Sequence, residues 1–168
     1  MRKNSKLQLE FKEKWLKELD NYGISREDYI ESENLLSKRF GKKAKEKDII
    51  WALMNKSLIS NINDYINQYH IYYLMGVFTK EEGKTDPNQY FELSTKSLIL
   101  KYKSEAVNGV RFLASISQRT CKNCTKLNGD SFTIEEALNN IPAPNKYCKN
   151  KDDNGYTNCR CTVIKLFD

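Results

Sequence analysis

Apolar residues recur at roughly helical spacing through the first hundred positions of this chain, then give way to alternation and turn residues. Leu9, Trp15, Leu16 and Leu19 stand among Lys and Glu and predict an amphipathic helix that stops at Asn21-Tyr22-Gly23. Ser25-Arg26-Glu27-Asp28 has the form of a capping box with Asp in place of the usual Glu, and opens a second helix through Tyr29, Leu35, Leu36 and Phe40 to Gly41. A third helix runs from about Asp48 through Ile49, Ile50, Trp51, Leu53 and Met54 until the Ser/Asn-rich stretch from Ser57 to Asp64 interrupts it. From Asp64 to Glu82 the set Tyr65, Ile66, Tyr69, Tyr72, Tyr73, Met75, Val77 and Phe78 covers most of a helix's circumference. That marks a central helix whose aromatic stripe is read as core. Asp86-Pro87 starts a fifth, with Asp as N-cap and Pro at the first helical position. It carries Tyr90, Phe91, Leu93, Leu98, Ile99 and Tyr102 as far as Asn108-Gly109.

Past Gly109 the pattern turns extended. Val110, Phe112, Leu113 and Ile116 read as a strand, Asn128-Gly129 as a tight turn, and Thr133-Ile134-Glu135-Glu136 as a second capping box opening a short helix that Pro142 and Pro144 terminate. A polar loop, Lys149 to Asn158, has Asp152-Asp153-Asn154-Gly155 at its tip, and Thr162 to Phe167 form a last β-branched strand. The expected fold is mainly α, with four to five helices and a small C-terminal zinc-bound α+β subdomain whose first and last strands pair. The expected division is residues 1–108 and 109–168.

The chemistry concentrates in that second part. Cys121, Cys124, Cys148, Cys159 and Cys161 are all of the chain's cysteines. Cys-x-x-Cys places two thiolates within reach of one tetrahedral ion, and thiolate-rich sets select zinc by default. The only histidine, His70, lies in the central helix, so a closed four-thiolate site is expected. The expected ligands are Cys121, Cys124, Cys148 and Cys159, with Cys161 as substitute because residues two apart on a strand face the same side. Arg160 then points away from the metal, as a solvated cation or a phosphate contact. A redox role for Cys121-Lys122-Asn123-Cys124 wants a thioredoxin-like strand–helix context, whereas a turn and a strand are expected to follow here.

Charge adds a partner class. Lys and Arg number 28 against 22 acidic residues, a net of +6 that permits nucleic-acid contact without requiring it. The excess is densest at Lys38, Arg39, Lys42, Lys43, Lys45 and Lys47, a candidate phosphate-binding patch that also suits a solvated face. Met1-Arg2-Lys3-Asn4-Ser5-Lys6 leads into alternating charged and apolar residues rather than a signal-peptide core, and no apolar run approaches the ~20 residues of a membrane span. The expected location is the cytoplasm of the (host) cell, or a virion if the chain is phage-encoded. Reducing conditions there favour metal ligation over disulfides.

The order Gly109-Val110, Arg119-Thr120-Cys121-x-x-Cys124, Leu127-x-Gly129-x-x-Phe132, a Pro pair, and Cys159-Arg160-Cys161 before a final strand resembles the C-terminal cassette of phage Mu-type head morphogenesis (minor head) proteins. The resemblance covers about residues 105–167 and does not extend to the helical part. The family usually has a His shortly before its Cys-Arg-Cys, where this chain has Tyr156, and it lacks the loop between Cys148 and Cys159. By the resemblance, Cys148 replaces that His as a ligand. The implied setting is a phage or prophage, with a role in head assembly or with the packaged genome, and with head or portal proteins or nucleic acid as partners.

Enzymatic motifs are weak by comparison. Asp64 with Glu82-Gly83-Lys84 loosely echoes the acidic pair and lysine of Mg²⁺-dependent nucleases, yet a helix stop at Gly83 accounts for it, and His70 has no visible catalytic partner. No small-molecule substrate is evident. The reading is a non-enzymatic zinc-binding protein of phage or prophage type, in head assembly or associated with nucleic acid. The alternatives are a metal-dependent nuclease and a regulator that binds a host protein.

Overall fold

The computed structural model describes residues 2–83, 85–118 and 120–166, and in the first helix the side chains from residue 9 onward. Lys84, Arg119 and Phe167, which figure in the sequence reading, lie outside the described residues. The fold is mainly helical with a small antiparallel sheet near the C-terminus, and it divides into two compact units, Met1–Ile62 and Asn63–Asp168. The division expected at 108/109 falls inside the second unit. No helix among the described residues is long and apolar enough to cross a membrane.

The first unit holds α1 (Arg2–Asp20), α2 (Arg26–Phe40) and α3 (Glu46–Ser60). Trp15, Leu19, Ile49, Ile50, Leu53 and Met54 form its fully buried centre, each side chain contributing roughly 1.5–3 kcal/mol by leaving water. The capping box is present as expected: the Ser25 hydroxyl accepts from the Asp28 N–H, and the Asp28 carboxylate accepts from the Ser25 N–H at 3.0 Å. The buried face of α2 agrees with expectation only in part: Tyr29 points inward as read, joined by Ser32, while Leu35 and Phe40 are exposed. Leu35 and Phe40 lie off the face that the helix buries.

The second unit begins with the central helix, α4 (Tyr65–Glu82), antedated by its N-cap Asp64, whose carboxylate accepts from Ile66 and Asn67 N–H. Ile71, Leu74, Met75, Gly76, Phe78 and Thr79 are buried, whereas Tyr73 remains half exposed, so the aromatic stripe is not wholly core. α5 (Asn88–Ser104) packs along α4. At Gly76 a Cβ would meet the Phe91 ring at 2.5 Å, which is why the smallest residue stands at this crossing. Asp86 accepts from the Asn88 N–H as a cap, but Pro87 takes the N-cap position, one residue later than expected.

The cassette follows as β1 (Gly109–Leu113), α6 (Lys122–Leu127), β2 (Ser131–Thr133), α7 (Ile134–Asn139) and β3 (Thr162–Leu166). Strand order is β2-β1-β3, all antiparallel, with Val110 opposite Phe132 and Arg111 opposite Ile164. The first and last strands therefore pair, as expected. Val110, Phe112 and Val163 face inward onto Ile99, Ala137, Ala143 and the cysteines. Ile116, expected in the strand, lies beyond its end and is fully exposed. The second expected box also forms, with Thr133 and Glu136 capping α7 reciprocally.

Candidate metal centre

Three segments of the cassette deliver thiols to one place. The first is the start of α6: Cys121 is its N-cap, and its Sγ accepts from the Cys124 N–H at 3.5 Å. The expected sequel of a turn and a strand is corrected here, since Lys122–Leu127 are helical and only then does the chain turn through Gly129. The turn expected at Asn128-Gly129 is present, between the end of α6 and β2. The second segment is the loop around Cys148, and the third is Cys159-Arg160-Cys161, just before β3.

The thiols form two triads that share one member. In the first, Cys121, Cys124 and Cys148 have sulfurs all within 4.8 Å; in the second, Cys124, Cys159 and Cys161 do. Cys121 Sγ lies 3.4 Å from that of Cys124 and 3.5 Å from that of Cys148, and the Cys124 and Cys159 sulfurs are 3.8 Å apart. All five are free thiols, and Cys121, Cys124 and Cys148 are buried. The four expected ligands and their substitute thus converge on Cys124, which neither strand geometry nor spacing singles out.

Backbone amides point at these sulfurs, as a thiolate centre needs. Cys121 receives N–H groups from Cys124 and Lys149, Cys148 from Asn150, and Cys159 from Asn145 and Cys161. Burial pushes the Cys121 thiol up, but the Cys124 and Lys149 amides and the neighbouring thiols outweigh it and hold it down at about 7. The Cys161 thiol, donating to Cys159, holds Cys159 well below the usual thiol range, with help from the Cys161 and Asn145 amides against burial. Burial pushes the thiols of Cys124 and Cys148 up, and Cys161 is pushed up mainly by its bond to Cys159. Each triad therefore contains one thiol predisposed to ionise beside others that a cation would have to deprotonate.

Asn145 ties the segments together, and the sequence reading missed it. Almost fully buried, it donates its backbone N–H to Cys159 Sγ at 3.3 Å and its side-chain amide to Cys124 Sγ at 3.5 Å. Its side-chain oxygen accepts from Tyr147 N–H and its carbonyl from Cys148 N–H. One residue thus bonds to the sulfurs of two segments and to the backbone of the third, the role that supporting hydrogen bonds play around metal ligands. The only signal was an Asn directly after Pro144 in a polar loop.

The cysteine cluster can hold a metal ion. The other candidates do not assemble with it. Asp64 and Glu82 sit at opposite ends of α4, about 27 Å apart along an axis rising 1.5 Å per residue, so they cannot share an ion. His70 is half-buried on α4 against the Tyr69 ring, its imidazole pushed below its ordinary value by burial with Asp64 opposing. In the first unit, Lys38, Arg39, Lys42, Lys43, Lys45 and Lys47 are all exposed around the α2–α3 connection. Lys43 reaches Glu33 at 3.5 Å, and the Lys47 ammonium sits 5.9 Å over the Phe11 ring. Compared with known proteins, the chain matches no family model, no curated protein and no solved structure.

Proposed function

We propose that this is a non-enzymatic zinc-binding protein of phage or prophage type, acting in head assembly or in association with nucleic acid. The observation that carries the zinc assignment is the convergence of five thiols on Cys124 with amide N–H groups aimed at them. An all-sulfur donor set suits redox-inert Zn²⁺, which thiolates bind tetrahedrally, better than oxygen-seeking Mg²⁺ or Ca²⁺. Cys121, Cys124, Cys148 and Cys159 would hold it, with Cys161 as substitute for Cys159, and zinc there would lock the two triads into one closed site. A closed site with four protein ligands leaves no position for substrate, which supports a structural rather than a catalytic role.

The phage or prophage setting rests on the resemblance of residues 105–167 to the minor head cassette. The nucleic-acid association rests on the basic excess and on the exposed cations of residues 38–47. The nuclease alternative loses its only acidic pair to the length of α4. The test is to incubate the purified protein with single- and double-stranded DNA and RNA, with Mg²⁺ or Mn²⁺ added. The expected result is salt-sensitive binding without cleavage, and about one zinc per chain by elemental analysis. Metal-dependent cleavage that survives repurification would contradict the non-enzymatic reading.

A further inference from the structure

Two cavities flank the Cys159-Arg160-Cys161 segment, and they differ in character. One, of about 580 Å³, opens beside the thiol cluster and is lined by Lys122, Lys149, Lys151 and Arg160 together with hydroxyl and amide side chains. The other, of about 590 Å³, is lined by Tyr69, Tyr73 and Phe91 of α4 and α5, with Lys80. Asn158, Arg160 and Cys161 line both, so the cavities meet at Arg160. Among the described residues, no carboxylate lines either one.

We infer that these cavities form a single-stranded nucleic-acid site, with backbone phosphate held by the basic cavity and a base stacked on Tyr73 and Phe91. This deepens the proposed nucleic-acid association and rests on it. The charge balance favours an anion. Among the described residues, none of the four cations lies within 4.0 Å of a carboxylate, although ion pairs do form elsewhere in the chain. Three of the four directly follow a cysteine in sequence and would offset a zinc–tetrathiolate centre, whose formal charge is about −2. Four cations leave a surplus even then, and a surplus of like charge in one cavity is relieved by an incoming oxyanion. Arg160 is exposed, and its planar fork matches phosphate oxygens.

The aromatic side favours an unpaired base over a free phosphate or a duplex. Tyr73 is half exposed and lies 5.6 Å from the Phe91 ring, tilted by 52°, so part of its surface is open to a further ring. Stacking on such a surface needs a base withdrawn from a helix, and it is indifferent to base identity. The layout predicts binding that is strand-selective and nearly independent of sequence. It also makes the metal a positioning element, because the thiols it would hold alternate with Lys122, Lys149 and Arg160 along the chain.

The experiment uses the full zinc-loaded chain and fluorescent twelve-residue oligo(dT) and oligo(U), with a DNA duplex of the same length alongside, titrated at several salt concentrations. The variants are Arg160→Ala with Lys149→Ala, Tyr73→Leu, and Lys42→Ala with Lys43→Ala. The first should weaken binding at least tenfold and lower the log–log salt slope by about 1.4, at ~0.7 per single-strand phosphate. Tyr73→Leu should weaken it about tenfold with the slope unchanged, the signature of lost stacking rather than lost charge. Each variant is accepted only with unaltered zinc content and circular dichroism; Arg160→Lys, which keeps the charge, should recover the slope. If only the Lys42/Lys43 variant loses affinity, nucleic-acid association stands and this site is wrong. If no oligonucleotide binds at low salt, both fail. A preference for duplex over single strands would overturn the stacking site alone.

Discussion

The two compact units are held together by different means. In the first, the centre is large and apolar, with Trp15, Leu19, Ile49, Ile50, Leu53 and Met54 sealed from water. In the second, the buried cluster around the sheet mixes large and small side chains, Ile99, Val110, Phe112, Ile134, Ala137, Ala143 and Val163, and five cysteines complete it from within or pack against it. The comparison teaches where to look: the helices of residues 1–62 have an apolar centre of their own, and if a metal gathers the five sulfurs, the cassette's three-stranded sheet is the part that would depend on it.

The hardest blow to that contrast is removal of the metal or of Cys124. Because Cys124 belongs to both triads, Cys124→Ser should abolish stoichiometric metal binding, and a chelator should do the same. Hydrogen exchange should then show amides of residues 109–166 losing protection while those of α1–α3 keep theirs. Simultaneous loss in both regions would show one cooperative unit and erase the comparison. Acid should act like the chelator: Cys124 and Cys148 hold their protons more tightly than ordinary thiols, so metal uptake releases protons and affinity falls steeply as pH drops through 7.

A gentler probe spares every sulfur. Asn145→Ala removes the amide that reaches Cys124 and the oxygen that fixes the turn at Tyr147, and should weaken metal affinity about 10- to 100-fold in competition with a chromophoric chelator. Unchanged affinity would mean that backbone geometry alone gathers the sulfurs. Smaller still is Gly109→Ala, whose Cβ would meet the Phe132 carbonyl oxygen at 2.6 Å across the β1–β2 pair. Its expected cost is about 1–3 kcal/mol in denaturant unfolding, with metal stoichiometry preserved.

The smallest effect belongs to the first unit. Ser25→Ala deletes half of the capping box and should destabilise that unit by about 1 kcal/mol without touching metal content. The Ser25 backbone and side-chain hydrogen bonds, with Lys56 assisting, hold the Asp28 carboxyl below its usual 3.8. Since its folded value is depressed, the stabilisation is full above about 3.8 and fades as pH falls through the folded value. In Ser25→Ala the acid limb of the stability curve should flatten, and an unchanged limb would place the pH sensitivity elsewhere.

Much of the fold was legible because local signals and global packing agree. Both capping boxes and the alternation of Val110 with Phe112 rest on residues whose short-range chemistry leaves few options. Legibility failed where tertiary context decides between equal local choices. Leu35 and Tyr29 are both apolar enough to be core, and only the position of neighbouring helices turns Tyr29 inward. Cys-x-x-Cys fits a bare turn or a helix N-terminus equally well, and the helix is chosen here. At the site, the five cysteines could be named from spacing, but their meeting at Cys124 and the binding role of Asn145 depend on three loops whose approach no periodicity encodes.

The most direct test of the account is the X-ray absorption spectrum of the protein purified without added metal, recorded at the zinc edge. The account predicts about one zinc per chain with four sulfur neighbours at ~2.3 Å and no nitrogen or oxygen shell. A protein devoid of zinc while its cassette strands remain protected from hydrogen exchange, or a zinc bound through nitrogen and oxygen, would contradict it.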